Sequence, residues 1–132
     1  MSGARAVAAA RGAIGTRFRL HGRAADTGLD CIGLAALALR ATGWEGVPPT
    51  GYAMRSGDAE RAIGWAAAAG LLSRATPAPG DVLLCRAGPG QLHLAVWTGA
   101  GVVHADAMLR RVVERPAPLP WMRIACWYFA GV

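Results

Sequence analysis

The feature that most constrains the fold is a change of texture at Pro79-Gly80-Asp81. Before this turn signal, apolar residues recur at helical spacing between glycines. After it they come in short runs separated by Gly or Pro, the pattern of strands. Helices first and strands afterwards predict an α+β domain, with N-terminal helices packed on a C-terminal antiparallel sheet. The chain has 132 residues, so residues 1–132 are read as one domain, large enough to bury a core without staples.

In the helical half, residues 4–11 suit a first helix, ended by Gly12 and Gly15. Residues 16–28 form an irregular connection rich in Arg and Gly. Asp30 is placed to cap a helix from Cys31 to about residue 42, with Gly43 as its stop signal. That helix is apolar nearly all round, as expected for one buried in the domain centre. Residues 44–57 read as a loop carrying Pro48, Pro49 and Gly51, and Asp58 caps a further helix running to Gly70. Strands are expected over 82–85, 92–97, 102–105, 110–114 and 124–129, arranged as a meander.

Hydrophobic residues make up 54%, but many are alanine, so the core is expected to rest on small side chains and the five tryptophans. Trp97 and Trp127 fall in strands and are assigned to the core. Trp44 and Trp121 border loops and are the better candidates for cleft walls, although a core role leads for both. All fourteen basic residues are arginine, and the net charge of +6 favours anionic partners. Only Arg110-Arg111 are adjacent, and no aromatic-interleaved patch accompanies them, so no nucleic-acid partner is expected. The first fourteen residues are interrupted by Arg5 and Arg11 and do not read as a secretion signal. No stretch is long and apolar enough to span a membrane. The expectation is a chain made in the cytoplasm that reaches its target by lysis or aboard a particle.

Three cysteines give no disulfide framework and no zinc spacing. Cys85 and Cys126 lie inside apolar strands and read as small core residues. Cys31 differs, because Gly28-Leu29-Asp30 precedes it and a helix begins there. Unpaired N–H groups at a helix start lower a thiol's pKa and stabilise an oxyanion. Downstream, a hairpin with a two- or four-residue loop gives His93 and His104 matching parity, with residue 104 facing residue 95. Residue 104 can equally face a neighbour of 95 with the same parity. Either way both imidazoles point to one sheet face within diagonal reach, as a base and the group that orients it require, whereas a three-residue loop would put them on opposite faces. The rival use is a zinc site from Cys31, His93, His104 and Asp106, disfavoured by the absence of CxxC or HxxxH. No metal or cofactor is expected. His21, between Leu20 and Gly22, is given a structural or substrate-edge role.

At these residues the chain resembles the NlpC-like cell-wall cysteine peptidases, a branch of the papain-like superfamily. The matching pieces occur in family order: Ile14-Gly15-Thr16 with Phe18-Arg19 and Gly22, Gly28-Leu29-Asp30-Cys31-Ile32-Gly33-Leu34, Pro79-Gly80-Asp81-Val82-Leu83, His93-Leu94-Ala95-Val96-Trp97, and Gly101-Val102-Val103-His104-Ala105. The resemblance implies a peptidoglycan stem peptide as substrate, cleaved at an amide between D-glutamate and a diamino acid. Cys31 is then the nucleophile, His93 the general base and His104 the third polar group, with no cofactor. Asp30 matches the acid that engages the substrate's free amine. Phe18 stands where the family often has tyrosine, and Ile32 where it usually has serine. Arg19 and Arg23 are the nearest cations for substrate carboxylates. Phe18-Arg19-Leu20-His21-Gly22-Arg23 and the compact length look like peptidases of phage-tail and gene-transfer-agent clusters, whose proteins would then be partners. Two alternatives remain: a catalytically weak or inactive tail or wall-docking module, favoured by Ile32 and Phe18, and an amidase or acyltransferase using the same triad.

Overall fold

A computed structural model of the chain describes residues 2–48 and 58–131. The helices are α1 (Ser2–Gly12), α2 (Cys31–Arg40) and α3 (Ala59–Ala68). The strands are β1 (Arg23–Ala24), β2 (Gly28–Leu29), β3 (Leu72–Ser73), β4 (Val82–Gly88), β5 (Gln91–Trp97), β6 (Gly101–Asp106), β7 (Arg111–Pro116) and β8 (Met122–Tyr128). Helices precede the main sheet, which is antiparallel throughout, as the texture change at Pro79-Gly80-Asp81 requires. The connection over 16–28 is less irregular than its composition suggests, since β1 and β2 close a small hairpin within it. Much of the loop assigned to residues 44–57 lies outside the described residues, including Pro49 and Gly51.

The sheet is not a simple meander. Its order is β3-β8-β4-β5-β6-β7, so β8 returns to pair with β4 instead of adding to β7. The outer edge of β7 is already taken by the segment after α1. Gly15 N donates to Val112 O, Val112 N to Thr16 O and Phe18 N to Arg110 O, at 2.8–2.9 Å. With that edge closed and its N–H groups satisfied, the last strand completes the free edge of β4. The chain between β7 and β8 therefore crosses the sheet, and it carries Leu119 and Trp121 over a face that no described helix covers.

Side chains alternate between two faces. On the helix side of the sheet, Val82, Leu84, Leu92, Leu94 and Trp127 meet α2 and α3, while Val96, Val103, Ala105 and Val112 lie under α1 and α2. Ala6, Ala10 and Ala38 are fully buried between α1 and α2, where small side chains let the helices approach closely. On the opposite face, Leu83, Cys85, Ala95, Val102 and Cys126 form a thinner layer beneath Trp97, Leu119 and Trp121. Cys85 and Cys126 are core residues as expected, 0% and 2% exposed. For Trp44 the core role, which led in the sequence, holds. It is 2% exposed, and its indole N–H donates to Ala69 O at 3.0 Å.

Candidate functional site

The site begins with the cap of α2. Asp30 is 6% exposed, and its Oδ1 accepts the Gly33 N–H at 2.8 Å. The same carboxylate holds the preceding loop, with Oδ2 accepting the His21 N–H at 2.8 Å and Oδ1 accepting Arg23 Nη1 at 2.8 Å. One acid therefore ends the loop, starts the helix and fixes Cys31 as its first residue. Arg23 also donates to Gly22 O, so its guanidinium is tied into this loop. Arg19 is exposed, and Phe18 packs half-buried against the cluster under α1. His21 is exposed with φ 62.

The sheet supplies the other half. Thr98 N donates to Gly101 O, and Trp97 N donates to Asp81 O. Even-numbered amides of β5 therefore point toward β6 and odd-numbered ones toward β4. The β5–β6 ladder runs only through Trp97↔Val102 and Val96↔Val103. Beyond it β5 and β6 are not paired. There the Leu94 N–H, no longer matched by β6, faces the Cys31 sulfur and favours its thiolate. Sequence reading had no signal for this donor, because it comes from where a ladder ends.

His93 and His104 share a sheet face, as the register Val96↔Val103 and Trp97↔Val102 dictates. Their rings lie perpendicular, with centroids 5.1 Å apart, and His93 Nε2 is 3.0 Å from His104 Nδ1. The face is the one opposite the helices, since His93 pairs with Cys85 of the thinner layer. Trp121 covers both rings edge to face, with centroids 4.9 Å from each. This loop-bordering tryptophan does line the site, and the crossover to β8 is what brings it there. With Nε2 turned to His104, the His93 nitrogen left for a thiol is Nδ1. Among the described residues no hydrogen bond joins Cys31 to His93. No group of three or more His, Cys, Asp or Glu side chains there is arranged to hold a metal ion.

The electrostatics overturn one expectation. A helix start was expected to lower the thiol's pKa, but burial pushes Cys31 up to about 11. The Asp30 charge adds to this rise, while the N–H groups of Leu94 and Ile32 and the charge of Arg23 oppose it. The residue keeps some surface, yet desolvation of a thiolate at this packed position outweighs the helix terminus. Burial also pushes His93 down to about 4, aided by His104 and opposed by Asp106. His104 is lowered too, first by burial. At neutral pH the Cys31 thiol and the His93 imidazole are both uncharged.

This has a consequence for acid stability. A folded-state His93 pKa near 4, below the ordinary 6.5, means the unfolded chain binds more protons between those values. The stability it contributes is present above pH 6.5 and lost as the pH falls toward 4, with His104 acting in the same direction. The expected loss from His93 is about 2–3 kcal/mol. Urea unfolding midpoints from pH 7 to 4 check this: His93→Gln should flatten the fall, and an equally steep fall in the variant would contradict it.

The fold is similar to several solved structures, three of them as follows. NlpC2 from Trichomonas vaginalis matches with a TM-score of 0.69 and 16% identity, over 97% of this chain and 46% of that one. NlpC1 from Trichomonas vaginalis matches at 0.66 and 20%, over 95% and 44%. The chain thus spans about half the length of these two. The NlpC/p60 domain of the peptidoglycan hydrolase SagA matches at 0.62 and 25%, over 94% of this chain and 96% of that one. No family model matches the sequence, and no curated protein does. The architecture is the α+β, papain-like one of NlpC/p60 domains.

Proposed function

We propose that this chain is a cysteine peptidase that hydrolyses an amide bond of peptidoglycan stem peptides, between D-glutamate and a diamino acid. The observation that carries the reading is a thiol at a helix start, contacted by the Leu94 N–H, next in sequence to a histidine whose Nε2 meets a second imidazole at 3.0 Å. The likeness to a domain of a peptidoglycan hydrolase supports the substrate class.

In this reading Cys31 attacks the carbonyl carbon as its proton passes to His93 Nδ1. With the thiol near 11 and the imidazole near 4, proton transfer accompanies attack instead of preceding it. The imidazolium formed keeps its Nε2–H on His104 Nδ1, which fixes its orientation. The Cys31 N–H helps hold the oxyanion. His93 then returns the proton to the leaving amine, and water resolves the acyl-enzyme. Asp30 meets the substrate's free amine, Phe18 borders it, and Arg19 meets a carboxylate, with Arg23 acting through Asp30. Delivery to the wall by a phage-tail-like particle extends the proposal on the resemblance of residues 18–23.

A second reading is a docking module that keeps the fold without turnover. The missing hydrogen bond between Cys31 and His93 favours it, together with Ile32 and Phe18. Incubation with tri- and tetrapeptide stems bearing a free N-terminus, read by mass spectrometry, separates the two. Cleavage after D-glutamate that vanishes in Cys31→Ala is the expected result. No cleavage by the folded chain would sink the peptidase reading.

A further inference from the structure

Arg115 lies behind the two histidines, and the reaction just described leaves it without a task. The register of β6 and β7 pairs His104 with Val113 and Val102 with Arg115. Arg115 therefore shares the histidine face, one diagonal step from His104 on the side away from His93. Its guanidinium carbon is 5.7 Å from the centre of the Trp121 ring. Its Nε is buried and has no hydrogen-bond partner among the described residues. Nor is it there to meet an acid. Glu114 is engaged by Arg11, and Asp106 accepts the N–H groups of Met108 and Leu109 in the turn after β6.

We propose that Arg115 is a positioning residue: its guanidinium, held against Trp121 behind His104, keeps the His104 ring neutral and its Nδ1 lone pair free for the His93 Nε2–H. This rests on the reading of Cys31, His93 and His104 as one catalytic line. The logic is that of donors and acceptors. At 3.0 Å, one of the two facing nitrogens must accept. A protonated His104 carries N–H at both nitrogens and would confront the His93 Nε2–H with a second donor, turning His93 away from the thiol. A fixed cation on the far side disfavours that protonation. The groups facing His104 are His93 from β5, Asp106 on its own strand, Arg115 from β7 and Trp121 from the crossover, with the protonated Cys85 of β4 behind His93. Burial is the largest influence holding the ring neutral, Asp106 opposes it, and Arg115 adds to burial.

The test reads ring nitrogens by NMR and the pH profile of stem-peptide cleavage, in the full chain and in Arg115→Gln and Arg115→Lys. In Arg115→Gln the His104 midpoint should rise and the acid limb of cleavage should move up with it. Burial still holds the ring low without the cation, so the midpoint should rise part of the way and cleavage at pH 6 should fall relative to that at pH 8. Activity at pH 8 should stay within about twofold. Arg115→Lys, which keeps the charge, should restore most of both readouts. An unmoved His104 midpoint in folded Arg115→Gln overturns the proposal, and so does a moved midpoint with the acid limb in place. Should Arg115→Gln fail to fold, Arg115→Met carries the same two measurements with the same expected direction. If the wild-type chain cleaves no stem peptide, the peptidase reading fails separately. The titration alone then decides, and a midpoint that rises without the charge and returns with lysine is still required.

Discussion

Replacing Cys31 with alanine is expected to lower stem-peptide cleavage by at least about a thousandfold while leaving the unfolding midpoint nearly unchanged. Removing the nucleophile of a group that acts as a unit forfeits almost all covalent catalysis. The side chain is partly exposed at the first turn of α2 and borders the core without filling it, so little packing is lost. The other two cysteines should behave in the opposite way. Cys85 and Cys126 are buried in the thinner layer of the sheet. Truncating either should cost about 1–2 kcal/mol with cleavage per folded molecule preserved. Cys126 also donates its thiol proton to Asp81 Oδ2 at 3.1 Å, but that carboxylate keeps the Arg74 ion pair and the Ala78 N–H. Its loss should therefore remain moderate. Cleavage rates beside urea midpoints for the three alanine variants check the contrast. Equal activity losses in all three would remove the reason for singling out Cys31.

Gly33→Ala is expected to destabilise the fold by roughly 3 kcal/mol or more, although alanine is the better helix former. The two effects oppose each other, and their sizes decide. Propensity alone favours alanine in a helix by about 1 kcal/mol. Against it, a Cβ at Gly33 would sit 2.1 Å from Gly22 O and 3.1 Å from Gly22 C. Those are main-chain atoms of the loop that Asp30 holds, and Gly22 N is itself tied to Arg19 O at 2.8 Å. No side-chain rotation relieves the overlap, so α2 must withdraw from the loop and carry Cys31 with it. Gly64, exposed in α3 with nothing within 4 Å of its Cβ position, is the control. Gly64→Ala should stabilise by about 0.5–1 kcal/mol. Urea unfolding of both variants tests the argument, and a stabilised Gly33→Ala would refute the close approach. Cleavage by Gly33→Ala should also fall, because the thiol moves relative to β5.

What could be read along the chain was whatever depends on near neighbours. Asp30 and Asp58 cap α2 and α3 through the N–H three residues on, and a cap is a local event. The matching parity of His93 and His104 follows from the period of a strand and the length of one hairpin connection. The burial of Cys85 and Cys126 follows from apolar runs. The α+β class follows from the change of texture at residues 79–81.

Other features needed the whole molecule. The course of β8 was not legible, because it depends on which sheet edge is already closed, and residues 15–18 close that of β7 from far away in sequence. That crossover sets Trp121 on the histidines, while Trp44, an equal candidate by sequence, is buried under α3. The sign of the Cys31 shift was not legible either. A helix start favours the thiolate locally, but desolvation is summed over every atom packed around the sulfur. By itself, then, the sequence determined the three helices, the five longer strands, the helix caps and the shared face of the two imidazoles, since each is fixed within a few residues. Only the tertiary structure decided the approach of the Leu94 N–H to Cys31, the tryptophan and arginine behind His104, and the neutral resting state of the thiol. Those are properties of distant segments brought into contact.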